Sequence, residues 1–216
     1  MNLVFLLAIL ASVSMPCMAA NRFVCYFPNW SFSPDNIDPN LCTHLIYSFA
    51  SLDEATFTMV PSDTRTDIRN GWYLQFTGLK VKNPQLKTMI ALGGWSDSTD
   101  GTKKYSKLVS SDANIAKFVT SVVQLFDDYN FDGLDVDWEY PEGPADKVGF
   151  ISLLSALKNA FAPKGYLLST AVPASEYTLN LGYDIPGINN AVDFVNLMTY
   201  DEYGPWTPNT ADHHAP

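Results

Sequence analysis

Short apolar runs alternate with longer segments of helical periodicity along this 216-residue chain. Six runs read as strands: Phe23–Phe27, His44–Phe49, Thr88–Leu92, Gly133–Glu139, Leu167–Ala171 and Phe194–Thr199. Each is short and rich in apolar, β-branched or aromatic residues, as befits strands covered on both faces. Two intervening segments read as helices. In the first, Ile115, Val119, Val122, Phe126 and Tyr129 recur at three- and four-residue steps after Ser111 or Asp112, either of which suits an N-cap. In the second, Phe150, Leu153, Leu154, Leu157 and Phe161 follow Asp146, and Pro163 and Gly165 stop the helix. The stretch from Thr64 to Leu79 is a weaker helix, interrupted by Gly71 and Gly78.

Strands that alternate with helices make parallel βαβ units with right-handed crossovers. Such units wind into an open sheet or close into a barrel. No glycine-rich phosphate loop follows the first strand, which disfavours a nucleotide-binding sheet. Polar and aromatic residues gather just past the strands instead: Asn29 and Trp30, Gly94 and Trp95, Glu139 and Tyr140, Tyr200 and Asp201. That placement fits a (β/α)8 barrel, whose site lies at the C-terminal strand ends. About six of the eight βα units are expected here, so residues 21–216 read as the N-terminal portion of such a barrel.

Charge narrows the partners. The formal net charge of −10 argues against nucleic acid, an anionic membrane surface and an acidic polysaccharide, and points to a neutral ligand. An apolar run from Leu3 to Val13, too short to span a bilayer, precedes small residues ending at Ala19 and Ala20. Residues 1–20 therefore read as a secretory signal, which makes the mature protein extracellular. Cys17 leaves with that signal. Cys25 and Cys42 remain as a possible disulfide in an oxidising compartment, the alternative being two buried free thiols. The sequon Asn29-Trp30-Ser31 adjoins a strand end expected to be functional and is not expected to carry a glycan.

The most informative stretch runs from Phe131 to Pro141. On a strand, alternate residues share a face, so Asp135, Asp137 and Glu139 point one way, while Leu134, Val136 and Trp138 point the other. Three carboxylates on one buried face are costly as mere structure, because burial and mutual repulsion both penalise their charges. The strain eases if one holds a proton, which is the arrangement of a general acid. Glu139, outermost on the strand, is the expected proton donor. Asp137 is placed to hydrogen-bond to it, and Asp135 lies deeper. A Mg²⁺ or Ca²⁺ site is the competing reading, but no second acid-rich segment supplies its remaining ligands. No metal or cofactor is expected.

These residues resemble the family-18 glycoside hydrolases, the animal chitinases in particular. The family signature Asp-Gly-x-Asp-x-Asp-x-Glu is matched from Asp132 to Glu139, and Trp138, Tyr140 and Pro141 extend the match. Further matches are Cys25-Tyr26-Phe27 with Asn29-Trp30, the segment Cys42 to Phe49, Gly93-Gly94-Trp95, and Met198-Thr199-Tyr200-Asp201. The resemblance implies a secreted monomer that hydrolyses chitin or chito-oligosaccharides, with the substrate's own N-acetyl group as nucleophile. Glu139 would protonate the glycosidic oxygen, and Asp137 would orient the acetamide and share charge with Asp135. Tyr200 would hydrogen-bond the acetamide, and Asp201 the sugar. The resemblance assigns Tyr26, Phe49, Gly94, Trp95, Tyr140 and Met198 to the sugar cleft. Trp30 and Trp206 are lesser candidates, and His44 is expected to be structural. A chitin-binding lectin and an inactive chitinase-like protein are the alternatives. The family has two further strands, so the 216 residues alone are expected to be unstable or weakly active.

Overall fold

The computed structural model describes residues 21–201; the expected signal and Trp206 lie outside them. Seven strands form one sheet: β1 (Val24–Pro28), β2 (His44–Leu52), β3 (Met59–Pro61), β4 (Lys87–Gly93), β5 (Gly133–Asp137), β6 (Leu167–Pro173) and β7 (Phe194–Met198). The helices are α1 (Trp72–Gly78), α2 (Trp95–Ser98), α3 (Lys104–Val109), α4 (Asp112–Tyr129), α5 (Gly143–Phe161), α6 (Glu176–Gly182) and α7 (Ile185–Ala191).

The parallel strands follow the order β1-β2-β4-β5-β6-β7, each beside its predecessor. A doubly wound sheet reverses its order at a switch point. This one does not, and it curls. Asn196 on β7 donates to the Tyr26 hydroxyl on β1 at 2.9 Å, although those strands stand at opposite ends of the order. Near the other end of the curl, Phe194 meets His44 edge-on at 5.5 Å, and Arg22 lies over the same ring. The fold is part of a (β/α)8 barrel, with His44 in a structural place.

Strand alternation sorts the core into two layers. Leu45, Tyr47, Ile90, Leu92, Leu134 and Val136 join the large cluster between sheet and helices, while Ile46, Met89 and Ala91 form a small cluster inside the curl. The α4 helix matches its periodicity: Ser111 caps it by accepting from the Asn114 amide, and left-handed Asn130 ends it. The α5 helix starts at Gly143, ahead of the expected Asp146. Pro144 has the fixed φ that suits a first turn, and buried Asp146 accepts from the Glu142 amide at 3.0 Å. The weak segment from Thr64 to Leu79 divides at Gly71, which sits at φ 74° between a wide turn and α1. One pairing was not expected, the antiparallel hairpin of β3 on β2. Asp53 shapes its turn by accepting from the Ala55 and Thr56 amides.

A disulfide joins Cys25 to Cys42, 17 positions apart, and so ties β1 to the entrance of β2. Closing a loop of that length stabilises by about 3 kcal/mol through the unfolded state. Replacing both cysteines with Ala is expected to lower the urea midpoint by that amount divided by the m-value.

Candidate active site

A cleft of about 1000 Å³ opens past the C-terminal ends of the strands. Its walls include Trp30 after β1, Phe49 on β2, Trp95 after β4, Asp137 at the end of β5 with Glu139 and Tyr140 just past it, and Met198 at the end of β7 with Tyr200 and Asp201 just past it. Trp30 is 71% exposed and Trp95 61% exposed, a large apolar surface left to water. Exposed aromatic rings flanking buried acids make a surface for a ligand with apolar faces and polar edges.

Asp135, Asp137 and Glu139 share the inner face of β5 and its extension, as their parity requires. Trp138 points outward and stacks on Tyr105 with ring centroids 5.6 Å apart. The three acids differ in what surrounds them. Asp135 is wholly buried and accepts from Tyr26 Oη at 2.7 Å, Ser169 Oγ at 2.6 Å and Asn196 Nδ2 at 3.0 Å. Burial raises its pKa, and those three donors offset part of the rise. Asp137 has no such help: its Oδ1 is buried without a partner among the described residues. Burial, then the neighbouring charges of Asp135 and Glu139, push its pKa well above the carboxylate range. Glu139 is half-buried, and its pKa is also raised, by burial first and by Asp201 further, with Tyr140 opposing.

Burial favours the neutral form at Asp137 as well as at Glu139, the outermost acid. The hydrogen bond expected from Asp137 to Glu139 is absent at Oδ1. The elevated pKa values also give a sign for stability. The folded state binds more protons than the unfolded one, so these groups destabilise increasingly as pH rises from about 4 through their folded pKa values.

Other cleft candidates also fall into place. Phe49 has the parity of outward-facing Tyr47, yet it lines the cleft. A shift in the β2–β4 register between Ser48 and Ala50 re-aims it inward. Gly94 makes room for it, since a Cβ there would come within 2.9 Å of the Phe49 ring. Trp30 stacks beside Phe49 at 6.3 Å, so this lesser candidate belongs to the cleft wall. The Tyr26 phenol reaches the acidic row from β1 and donates to Asp135.

Sequence reasoning missed several polar supports. Asn29 is 9% exposed, and its Nδ2 donates to Ser62 Oγ at 3.0 Å and Asp67 Oδ1 at 2.9 Å, which leaves that nitrogen no room for a glycan. Fully buried Asp67 also accepts from the Tyr47 hydroxyl. Near Trp95, Asp97 pairs with buried Lys104 at 2.7 Å. The available signal was polar residues inside otherwise apolar segments, but nothing in their spacing identified the partners. Among the described residues, no group of three or more His, Cys, Asp or Glu side chains is arranged to hold a metal ion.

The family model for glycosyl hydrolases of family 18 matches residues 22–216. The chain is 39% identical over 212 residues to probable chitinase 10 of Drosophila melanogaster, covering 90% of this chain and 9% of that protein. Among solved structures, the group IV chitinase of Ostrinia furnacalis superposes with a TM-score of 0.84 at 37% identity, covering 91% of this chain and 56% of that one. Human YKL-39, described as a pseudo-chitinase with retained chitooligosaccharide binding, superposes at 0.78 with 33% identity, covering 88% and 54%. The chain thus spans about half the length of the solved relatives it matches. With its acid-bearing strand, its six parallel strands in unreversed order and the family match over nearly all its length, this chain belongs to the glycosyl hydrolases of family 18.

Proposed function

We propose that the protein is a secreted chitinase that hydrolyses β-1,4-linked N-acetylglucosamine polymers with retention of anomeric configuration. One observation carries this reading: Asp135, Asp137 and Glu139 form a graded row that ends in a cleft walled by Trp30, Phe49 and Trp95. Aromatic walls bind the apolar faces of sugar rings without needing charge. A raised Glu139 pKa keeps a proton available to the leaving oxygen.

In the proposed first step, Glu139 gives its proton to the glycosidic oxygen. The bond from that oxygen to the anomeric carbon breaks as the substrate's acetamide oxygen bonds to the same carbon, forming a cyclic oxazolinium. Asp137, beside Glu139 and with a buried oxygen free of protein partners among the described residues, accepts from the acetamide N–H and so orients it. Tyr200 on the cleft wall steadies the acetamide, and Asp201 holds the sugar. Glu139, now ionised, takes a proton from water, whose oxygen attacks the anomeric carbon and opens the ring. Two inversions leave the original configuration.

Product analysis by proton NMR in the first minutes of chitotetraose hydrolysis tests this route. The new reducing ends are expected as the β-anomer; an initial α-anomer would exclude it. The basic limb of the kcat profile is expected above about pH 4.3, the ordinary glutamate value, because burial keeps Glu139 protonated beyond it. A lectin-like reading is the second possibility, since YKL-39 is described as binding chitooligosaccharides without being a true chitinase. The presence of a carboxyl at Glu139 favours the enzyme.

A further inference from the structure

The β5 ladder ends before it reaches the proposed acid. Its last rung to β4 pairs Asp137 with Gly93, and its last rung to β6 pairs Val136 with Thr170. Trp138 and Glu139 continue beyond the sheet, and their backbone groups need partners of another kind. Two side-chain hydroxyls supply them. The Glu139 amide donates to Ser98 Oγ at 3.0 Å, and Tyr183 Oη donates to the Trp138 carbonyl at 3.2 Å.

Ser98 is held in place by its own helix. It ends α2, the single turn that begins with cleft residue Trp95, and its amide bonds the Gly94 carbonyl at 3.0 Å. Asp97 clamps that turn to two other elements. Its carboxylate accepts from the Tyr105 hydroxyl at 2.5 Å, from Lys104 Nζ at 2.7 Å and from the Leu52 amide at 3.2 Å. Tyr105 stacks on Trp138, so the clamp reaches the acid's neighbour from the outer side as well.

We infer that Ser98 is a positioning residue for Glu139. Resting on the chitinase reading, it sets the main chain from which the acid projects, and the Asp97–Lys104 pair fixes Ser98 in turn. A carboxyl that must meet a leaving oxygen tolerates little displacement, and Glu139 has no sheet rung to hold it. Trp95 and Ser98 share one turn, so the sugar wall and the acid are set by a common support.

The test uses the full-length protein in three forms: wild type, Ser98→Ala and Ser98→Thr. Hydrolysis of a dye-linked chitotriose is expected to lose kcat about tenfold in Ser98→Ala, with KM little changed, because the acid is displaced while the aromatic wall is kept. Ser98→Thr, which retains the hydroxyl, is expected to recover most of that loss. Hydrogen exchange at the Glu139 amide, followed by NMR, is expected to quicken about tenfold in Ser98→Ala only. An unchanged exchange rate overturns the inference whether or not the protein cleaves sugar. Faster exchange with unchanged kcat also overturns it, leaving Ser98 merely structural. A wild type that hydrolyses nothing removes the chitinase reading, and the exchange measurement still decides whether Ser98 holds the Glu139 segment.

Discussion

Replacing Glu139 with Gln is expected to lower the hydrolysis of a dye-linked chitotriose by about 10³-fold while leaving the fold intact. The amide has nearly the shape of the carboxylic acid but has no proton acidic enough to donate. Glu139 lies beyond the last sheet rung and is only half-buried, so the substitution disturbs little packing. It also removes a group whose ionisation burial disfavours, so the variant is expected to melt no lower than wild type at neutral pH. Chito-oligomer affinity is expected to persist, because Trp30, Phe49 and Trp95 are unchanged. Equal rates in the two proteins would remove Glu139 from its proposed role. A loss of affinity as large as the loss of rate would mean that the acid mainly binds.

The second large effect concerns backbone rather than chemistry. Gly93 ends β4 with φ at 113°, and a Cβ built on it would sit 2.2 Å from the Asp137 carbonyl oxygen. That oxygen already accepts from the Gly94 amide at 2.9 Å, so it cannot yield without breaking the join between β4 and β5. Gly93→Ala combines an unfavourable φ with overlap against a fixed backbone atom, each worth about 1–3 kcal/mol. A total near 3 kcal/mol corresponds to a melting temperature lowered by about 10 °C. Activity is expected to fall with stability, because the displaced carbonyl belongs to Asp137. Gly71→Ala is the contrasting control: its φ of 74° is similarly unfavourable, but no atom lies within 4 Å of the added carbon. Calorimetry of both variants separates the φ contribution from the overlap.

Much of the fold was legible because its determinants are local. The six parallel strands and the two long helices announce themselves by periods of two and 3.6 residues, which the backbone imposes wherever one face is buried. The acidic row was legible for the same reason: the side-chain alternation of β5 continues to Glu139 even though the sheet pairing stops at Asp137. Departures occur where that rule is broken locally. Phe49 escapes its parity through the register shift beside Ser48, and the segment before Leu79 divides because Gly71 turns left-handed. The β3 hairpin escaped notice because three residues are too few to show alternation.

The sequence by itself therefore determined the alternation of strands and helices, the common face of Asp135, Asp137 and Glu139, and, by resemblance, the family. Tertiary structure alone decided which polar groups meet. Asp135 receives Tyr26 from 109 positions away, Asp97 receives the Leu52 amide from 45, and the Glu139 amide finds Ser98 at 41. Periodicity dictates which way a side chain points from its own strand or helix. Its partner across the curl depends on sheet register, strand order and curvature, which are properties of the whole packed chain. Burial raises the pKa of Asp135 and Asp137 alike, and among the described residues only Asp135 has long-range donors that offset part of the rise.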